Sequence, residues 1–319
     1  MRTIVVVVRR VSIALLTLLA LSMVVYFAAR LLPANPARAA LGKTASAGQV
    51  ARFRVQQGLN HSAIVGYLDW LHHVLFWNWG TSILSQEPVI RLAAPRLVQT
   101  GILALIGFGV GTCIAVPLGY VAGRRVDSRV DLGLSFGIIA LAAMPEFVVA
   151  IVLLVVFAVK LRWLPVTSGG VLYGGVGSHI MAYVLPAASL GLVVVPQMAR
   201  QVRITVSEVV REPYVASAAL RGLKPRIVTW RYVVPTAAGR LVNVLTLTLA
   251  SLFTGVVVVE TVFGYPGIGQ LLVTSIGNND SAVVEFCVLI MGTIFIAMNL
   301  LADLLVLALN PRLRRESVT

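Results

Sequence analysis

Ser207–Thr236, SEVVREPYVASAALRGLKPRIVTWRYVVPT, is the longest polar and basic interruption in a very apolar chain. Hydrophobic runs flank it on both sides, and eight of the chain's 26 Lys and Arg lie between Arg200 and Arg240. Its punctuation is that of a short helix. Pro213 follows Glu212, and Gly222 comes nine residues later, which is the order expected of a helix start and stop. Glu208 and Glu212 sit on the N-terminal side and Arg221 and Lys224 on the C-terminal side, signs that complement a helix dipole. The segment Pro213 to Arg221 is therefore predicted to be helical, with Tyr214, Ala218 and Ala219 on one face. Pro225 opens a second short helix, predicted to end near Pro235. So short a helix is marginal alone in water, and its small-residue face must pack on something. That something is either a partner protein or this chain's own helices, and spacing does not choose between them.

Composition sets the surroundings of this loop. Of 319 residues, 58% are hydrophobic and 12% charged, where soluble domains run nearer a quarter charged. The mean hydropathy is +0.92. The apolar runs are long enough for membrane-spanning helices rather than barrel strands. A net charge of +14 raises the question of nucleic acid. The basic residues fall at the ends of apolar runs, however, where they fix orientation in a membrane, so no nucleic-acid partner is expected. Cys113 and Cys287 lie inside apolar runs and read as small buried hydrophobes, not as a disulfide or thiolate site. His61, His72, His73 and His179 show no metal-ligand spacing, so no metal is expected. No H-E-x-x-H or G-x-S-x-G frame is present, and no glycine cluster ends in G-K-[ST]. The chain thus reads as an all-α polytopic membrane protein and not as an enzyme.

Six transmembrane helices follow from the apolar runs: about Val11 to Leu32, Leu97 to Ala122, Leu132 to Val159, Ile180 to Met198, Leu241 to Phe263 and Val283 to Leu309. Residues 1–96 form an N-terminal helix plus an extracytoplasmic segment. Residues 97–310 form the core, with the loop at about 200–238, and residues 311–319 form a basic tail. In the extracytoplasmic segment, Tyr67, Trp70, Leu71 and Val74 recur at helical spacing, and Trp70, Trp77 and Trp79 suit the headgroup level. Short helices lying on the outer membrane surface are expected there. Ala37-Arg38-Ala39 offers a signal-peptidase-like pattern, but the preceding apolar run exceeds a signal h-region and reads as a retained helix. With the N-terminus inside, seventeen Lys and Arg fall on the inner side, and both termini are cytoplasmic.

The loop resembles the signature loop of binding-protein-dependent ABC importer permeases, in which an alanine, a following glycine and a proline thirteen residues beyond it recur. Ala218, Gly222 and Pro235 match that frame, whereas the acidic position of the general motif is occupied by Ala216. VVVVETVFGYPGIGQLL (256–272) and NLLADLLVLALNPRLR (299–314) resemble the C-terminal part of permeases for dipeptides, oligopeptides and nickel. GLNHSAIVGYLDWLHHVLFWNWGTSI (58–83) resembles that subfamily's outer segment, with its turn reading Asn78-Trp79-Gly80. The resemblance covers most of the chain and is closest to the first of the two permease subunits. It implies the type I ABC importer transmembrane fold in a prokaryotic plasma membrane. It implies pairing with a second homologous permease, two ATP-binding subunits that hold ATP and Mg, and an extracytoplasmic substrate-binding protein. It also turns the loop into an ATPase-coupling element comprising Glu212, Pro213, Tyr214, Ala218, Ala219, Gly222 and Lys224. Di- or oligopeptides are the implied cargo, with nickel chelates, glutathione-like compounds or oligosaccharides as alternatives.

Three acids fall within the predicted spans, where an acid is costly and functional by default. Glu260 and Asp303 match positions at which the family has acids and are read as structural. Glu146 follows Pro145 in mid-span. It either faces the translocation path and meets a substrate amino group or is partnered by a neighbouring helix. Pro117, Pro145, Pro186 and Pro196 can each kink a span. A different class, an ion-coupled secondary transporter using Glu146 or Asp303, is separated from the ABC class by whether transport needs ATPase subunits. A non-transporting scaffold would leave the loop helix without a purpose.

Overall fold

The computed structural model describes residues 2–31, 48, 63–169 and 180–309. Helices account for nearly all of them. They are α1 (Arg2–Leu31), α2 (Ala63–Leu75), α3 (Val89–Arg124), α4 (Arg129–Ala142), α5 (Glu146–Leu153, continued by a π-helical stretch Leu154–Lys160), α6 (Ile180–Val210), α7 (Pro213–Leu220), α8 (Pro225–Val228, continued by a π-helical turn Thr229–Val233), α9 (Val234–Phe263), α10 (Ile268–Gly277) and α11 (Ser281–Leu309). The pattern Ala37-Arg38-Ala39, most of the polar stretch after α1 and the basic tail lie outside the described residues.

α1, α3, α6 and α11 are each long and apolar enough to cross a membrane. α4 and α5 act together as one broken span, bent by 96°. At one end Asp131 of α4 is bonded to Arg203 near the basic end of α6. Past the other end, Ser168 donates through Oγ to the Ala182 carbonyl (2.7 Å) and through its amide to that of Phe263 (3.0 Å), at the far ends of α6 and α9. The broken pair therefore runs the length of α6. With the 30-residue α9, six spans result.

The break is a departure from the single helix expected over residues 132–159. Pro145 brings no amide to the ladder and disfavours helical backbone at the residue before it. The chain leaves the helix at Ala143 and restarts with Pro145 as N-cap at φ −58°, ψ 142°. Pro95, Pro117, Pro186 and Pro196, by contrast, are carried inside α3 and α6. α3 starts at Val89, so the division expected between residues 96 and 97 falls inside a continuous helix. Pro235 stands in the first turn of α9 instead of ending a short helix. α10 has no counterpart among the expected helices: Gly264, left-handed at φ 57°, closes α9, and the chain turns by 76° into α10.

The centre of the bundle is the contact of α3 with α6. Gly107, Gly111, Ala115, Gly119 and Gly123 recur every fourth residue of α3, so they share one face, and all five are buried. That face meets Leu190, Gly191, Val194, Ala199, Val202 and Val206 of α6 at backbone range. A Cβ placed on Gly119 would sit 2.5 Å from the Ala199 carbonyl oxygen and 2.7 Å from Val202 Cβ. One on Gly123 would sit 2.5 Å from the Arg203 carbonyl oxygen. In lipid, where apolar burial gives no net drive, such close packing is what holds two helices together.

The remaining elements are arranged around this pair. Leu21 of α1 packs over Gly292 of α11. The face of α2 that carries Tyr67 and Trp70 lies on α1. Tyr67 Oη is 2.8 Å from Ser22 Oγ, and its ring is 5.5 Å from that of Tyr26. Ile64, Leu68 and Leu75 of α2 remain exposed. Beyond α2, Ser82 Oγ donates to Asp280 Oδ2 (2.5 Å) and the Ile83 amide to Asp280 Oδ1 (3.3 Å), tying this segment to the start of α11.

Because the obstacle at Gly119 is backbone, repacking cannot relieve it. Gly119→Leu is expected to cost on the order of 1–3 kcal/mol or more, as overpacking does. It should lower the yield of monodisperse protein in detergent and its thermal midpoint. Substitution at Gly109, where a Cβ meets nothing within 4 Å, should leave both unchanged.

Candidate functional site

The stretch between α6 and α9 folds as the punctuation predicts. Glu212 caps α7 and Pro213 occupies its first turn. Gly222 follows the C-cap Arg221 at φ 75°, a left-handed conformation that glycine adopts without cost, and its amide bonds to the Ala219 carbonyl (3.0 Å). Lys224 caps the next turn, its carbonyl accepting from the amides of Ile227 (2.8 Å) and Val228 (3.2 Å).

A helix this short holds its place through contacts with the bundle. Val215 and Ala218 are turned inward, Ala218 to 2% exposure. Val215 joins Val206, Val209 and Val233 in the core cluster at this end of the molecule. Arg240 of α9 donates to Glu212 (2.9 Å) and to Glu208 (3.4 Å), bridging the exit of α6 and the entry of α9. Pairs this exposed contribute at most about 1 kcal/mol, so their effect is to set direction more than to add stability. Tyr214 Oη donates to Thr236 Oγ1 (3.1 Å). Thr229 Oγ1 is bonded with Tyr120 Oη (2.8 Å) and accepts from Arg124 (3.3 Å) at the end of α3. Between α7 and the end of α3 lies a cavity of about 190 Å³, lined by Tyr120, Arg124, Ala216, Ala219 and Thr229 among others. Alongside, Arg203 makes a two-pronged ion pair with the buried Asp131 (2.6 and 2.7 Å), the strongest geometry open to this pair.

The face expected to carry Tyr214, Ala218 and Ala219 together is thus divided. Ala218 packs on this chain's own helices, Ala219 lines the cavity, and Tyr214 is 41% exposed. What the loop presents outward is Leu220 at 89% exposure, with Trp230 at 66% and Ile227 beside it in sequence order. The sequence signal for these was available: Leu220 and Trp230 are large apolar residues in a polar loop whose inward positions were already filled by alanine and valine.

The acids of the spans separate cleanly. Glu260 is fully buried and accepts from Thr100 Oγ1 (2.6 Å) and from the amides of Gly269 (2.8 Å) and Gln270 (3.1 Å). Its carboxylate thereby caps the N-terminus of α10, the favoured place for a negative charge. Thr100 completes the arrangement by accepting from the Ile268 amide (2.8 Å). Gly267 has no room for a side chain, because Glu260 occupies that space. Asp303 forms an ion pair with Arg10 of α1 and is half-exposed. Each of these two acids is thus held by partners on other elements. Glu146 sits at the break before α5 against Gly255 of α9, with Pro145 as its N-cap. Among the described residues, no group of three His, Cys, Asp or Glu could hold a metal ion.

An apolar six-span bundle, a braced loop helix at its basic end and a carboxylate-capped short helix after the fifth span define a polytopic membrane subunit. Residues 115–315 match the family described as "Binding-protein-dependent transport system inner membrane component", and residues 3–95 match its N-terminal family. The chain belongs to that family, with the type I ABC importer membrane fold. It is a multi-pass inner-membrane permease component and not an enzyme, and the family works with partner ATPases and a binding protein. Among its relatives is "Probable peptide ABC transporter permease protein y4tP" of Sinorhizobium fredii, 31% identical over 290 residues, covering 91% of this chain and 93% of that one. "Glutathione transport system permease protein GsiC" of Salmonella choleraesuis is 32% identical over 301 residues, covering 93% and 95%. The Pectobacterium atrosepticum protein of the same name is 30% identical over 299 residues, covering 93% and 95%.

Removing the Glu260 carboxylate leaves the Thr100 hydroxyl and two amides without their acceptor, at about 1–3 kcal/mol for such a loss. Glu260→Ala should therefore lower the thermal midpoint of the purified protein markedly. Glu260→Gln, which keeps one acceptor oxygen, should fall between it and the parent.

Proposed function

We propose that this chain forms half of a translocation path for di- or oligopeptides across a prokaryotic plasma membrane, driven by ATP hydrolysis on partner subunits. It pairs with a second homologous permease. Two ATP-binding subunits carry ATP and Mg, and an extracytoplasmic binding protein delivers cargo. The side that carries α7 is cytoplasmic in this reading, as are both termini, which the Lys and Arg bias supports. Peptide cargo is supported by the names of the relatives from Sinorhizobium and Salmonella, glutathione being itself a small peptide.

The observation that carries the coupling role is the contrast within α7. Its inward side is locked by Val215, Ala218 and the Arg240 bridge, while Leu220 stands almost wholly in solvent. A braced helix with a protruding apolar side chain can transmit a rigid-body push without deforming. Hydrophobic anchors seated in a partner's groove supply most of the binding energy in such contacts. Closure of the ATPases then reaches α6 and α9, which continue directly from the loop.

Two substitutions separate docking from folding. Leu220→Asp should leave thermal stability within a few tenths of a kcal/mol, as exposed substitutions do, yet reduce co-purified ATPase and peptide-stimulated ATP hydrolysis at least tenfold. Ala218→Asp places a charge at a buried position and should destabilise the permease itself. Retention of ATPase by Leu220→Asp at parental levels would contradict the coupling role assigned to this helix.

A further inference from the structure

Every acid in the spans but one has a partner. Asp131 is bound by Arg203, Glu260 by Thr100 and two amides, and Asp303 by Arg10; Glu285 likewise has an interaction. The Glu146 carboxylate has neither a hydrogen bond nor an ion pair among the described residues. It is half-buried and sits where the third span is broken, between exposed Met144 and Phe147. It packs against Gly255, in the interior of the 30-residue span α9 and away from both its ends, which puts it within the hydrocarbon core. On its inner side it faces glycine: a Cβ at Gly255 would lie 2.8 Å from Glu146 Oε2, so α9 offers space there and no cation.

An unpaired carboxylate at that depth is tolerated when it borders water or meets a cation, and irregular backbone within a membrane is tolerated where it lines a cavity. The break at Pro145 supplies the irregular backbone and Glu146 the charge. Resting on the peptide reading above, we infer that Glu146 lines the translocation path and makes a transient ion pair with a cationic group of the passing cargo, the α-ammonium of a peptide. Pro145 is a positioning residue, since it sets the break that turns Glu146 out of a continuous helix. The charge has no partner among the described residues, so it favours entry of an ammonium group without holding it tightly.

The test uses the complete transporter, with its ATPases and binding protein, in proteoliposomes. Glu146→Gln should lower import of a free-amine dipeptide per ATP hydrolysed at least tenfold, while ATPase activity stimulated by the loaded binding protein stays within twofold of the parent. Glu146→Asp should recover most of the import. In a chain with Cys113, which is exposed, replaced by Ser, Glu146→Cys should react with a cationic methanethiosulfonate reagent at least tenfold faster than Phe136→Cys, whose position is 76% exposed on the apolar surface of α4. Peptide cargo should slow that reaction. Import unchanged by Glu146→Gln overturns the inference, as does a parallel fall in ATPase activity, which marks a structural role. An unreactive Glu146→Cys also overturns it, by showing that lipid or the second permease covers the position. If the parent imports no peptide, the peptide reading itself fails and the cationic contact with it, and the reactivity of Glu146→Cys then decides path lining alone.

Discussion

Everything in this bundle depends on the backbone-range contact between α3 and α6. Five small residues spaced by four let the helices approach until carbonyl oxygens of α6 occupy the space where side chains of α3 would otherwise stand. Because lipid gives helices no hydrophobic reason to associate, dispersion across such a seam is the available glue. The seam makes α3 and α6 one rigid unit. α6 runs on to Val210, directly before the loop, so displacement of the loop helix is delivered to this unit and not lost in bending.

The loop is braced from several sides by weak devices. Arg240 bridges two acids at the exit of α6, Thr229 bonds to the end of α3, and Val215 fills the core beneath. No single one is strong. Together they fix the axis of a helix that has too few residues to be stable alone. At the opposite end the carboxylate of Glu260 plays an equivalent role for α10, since it orients a helix N-terminus by accepting its free amides. Both ends of the path are thus held by short helices whose positions are set by polar contacts to the long spans.

The membrane class, the number of spans, the polarity of the loop and the start and stop of α7 were legible in the sequence. Each rests on local chemistry: the length of apolar runs, proline at a helix start, glycine at its end. The pairing of Ala218, Gly222 and Pro235 with a known loop frame carried the family, which the match over residues 115–315 bears out. The spacing of Gly107, Gly111, Ala115, Gly119 and Gly123 was equally visible and predicts a close helix contact, but not which helix it meets.

What the tertiary structure alone decided are matters of partnership. Tyr214, Ala218 and Ala219 share a face by periodicity, yet Ala218 is buried, Tyr214 is partly exposed and Leu220 is the side chain that stands furthest out. Glu260, Asp303 and Glu146 are chemically alike in the sequence. Only the fold gives the first a helix end and the second an arginine, and leaves the third facing a glycine. Four prolines in the spans look equivalent, and one breaks its helix. Composition and periodicity describe what a residue can do next to its chain neighbours. Burial and pairing are settled by residues far along the chain, 72 positions for Arg203 and Asp131 and 160 for Thr100 and Glu260.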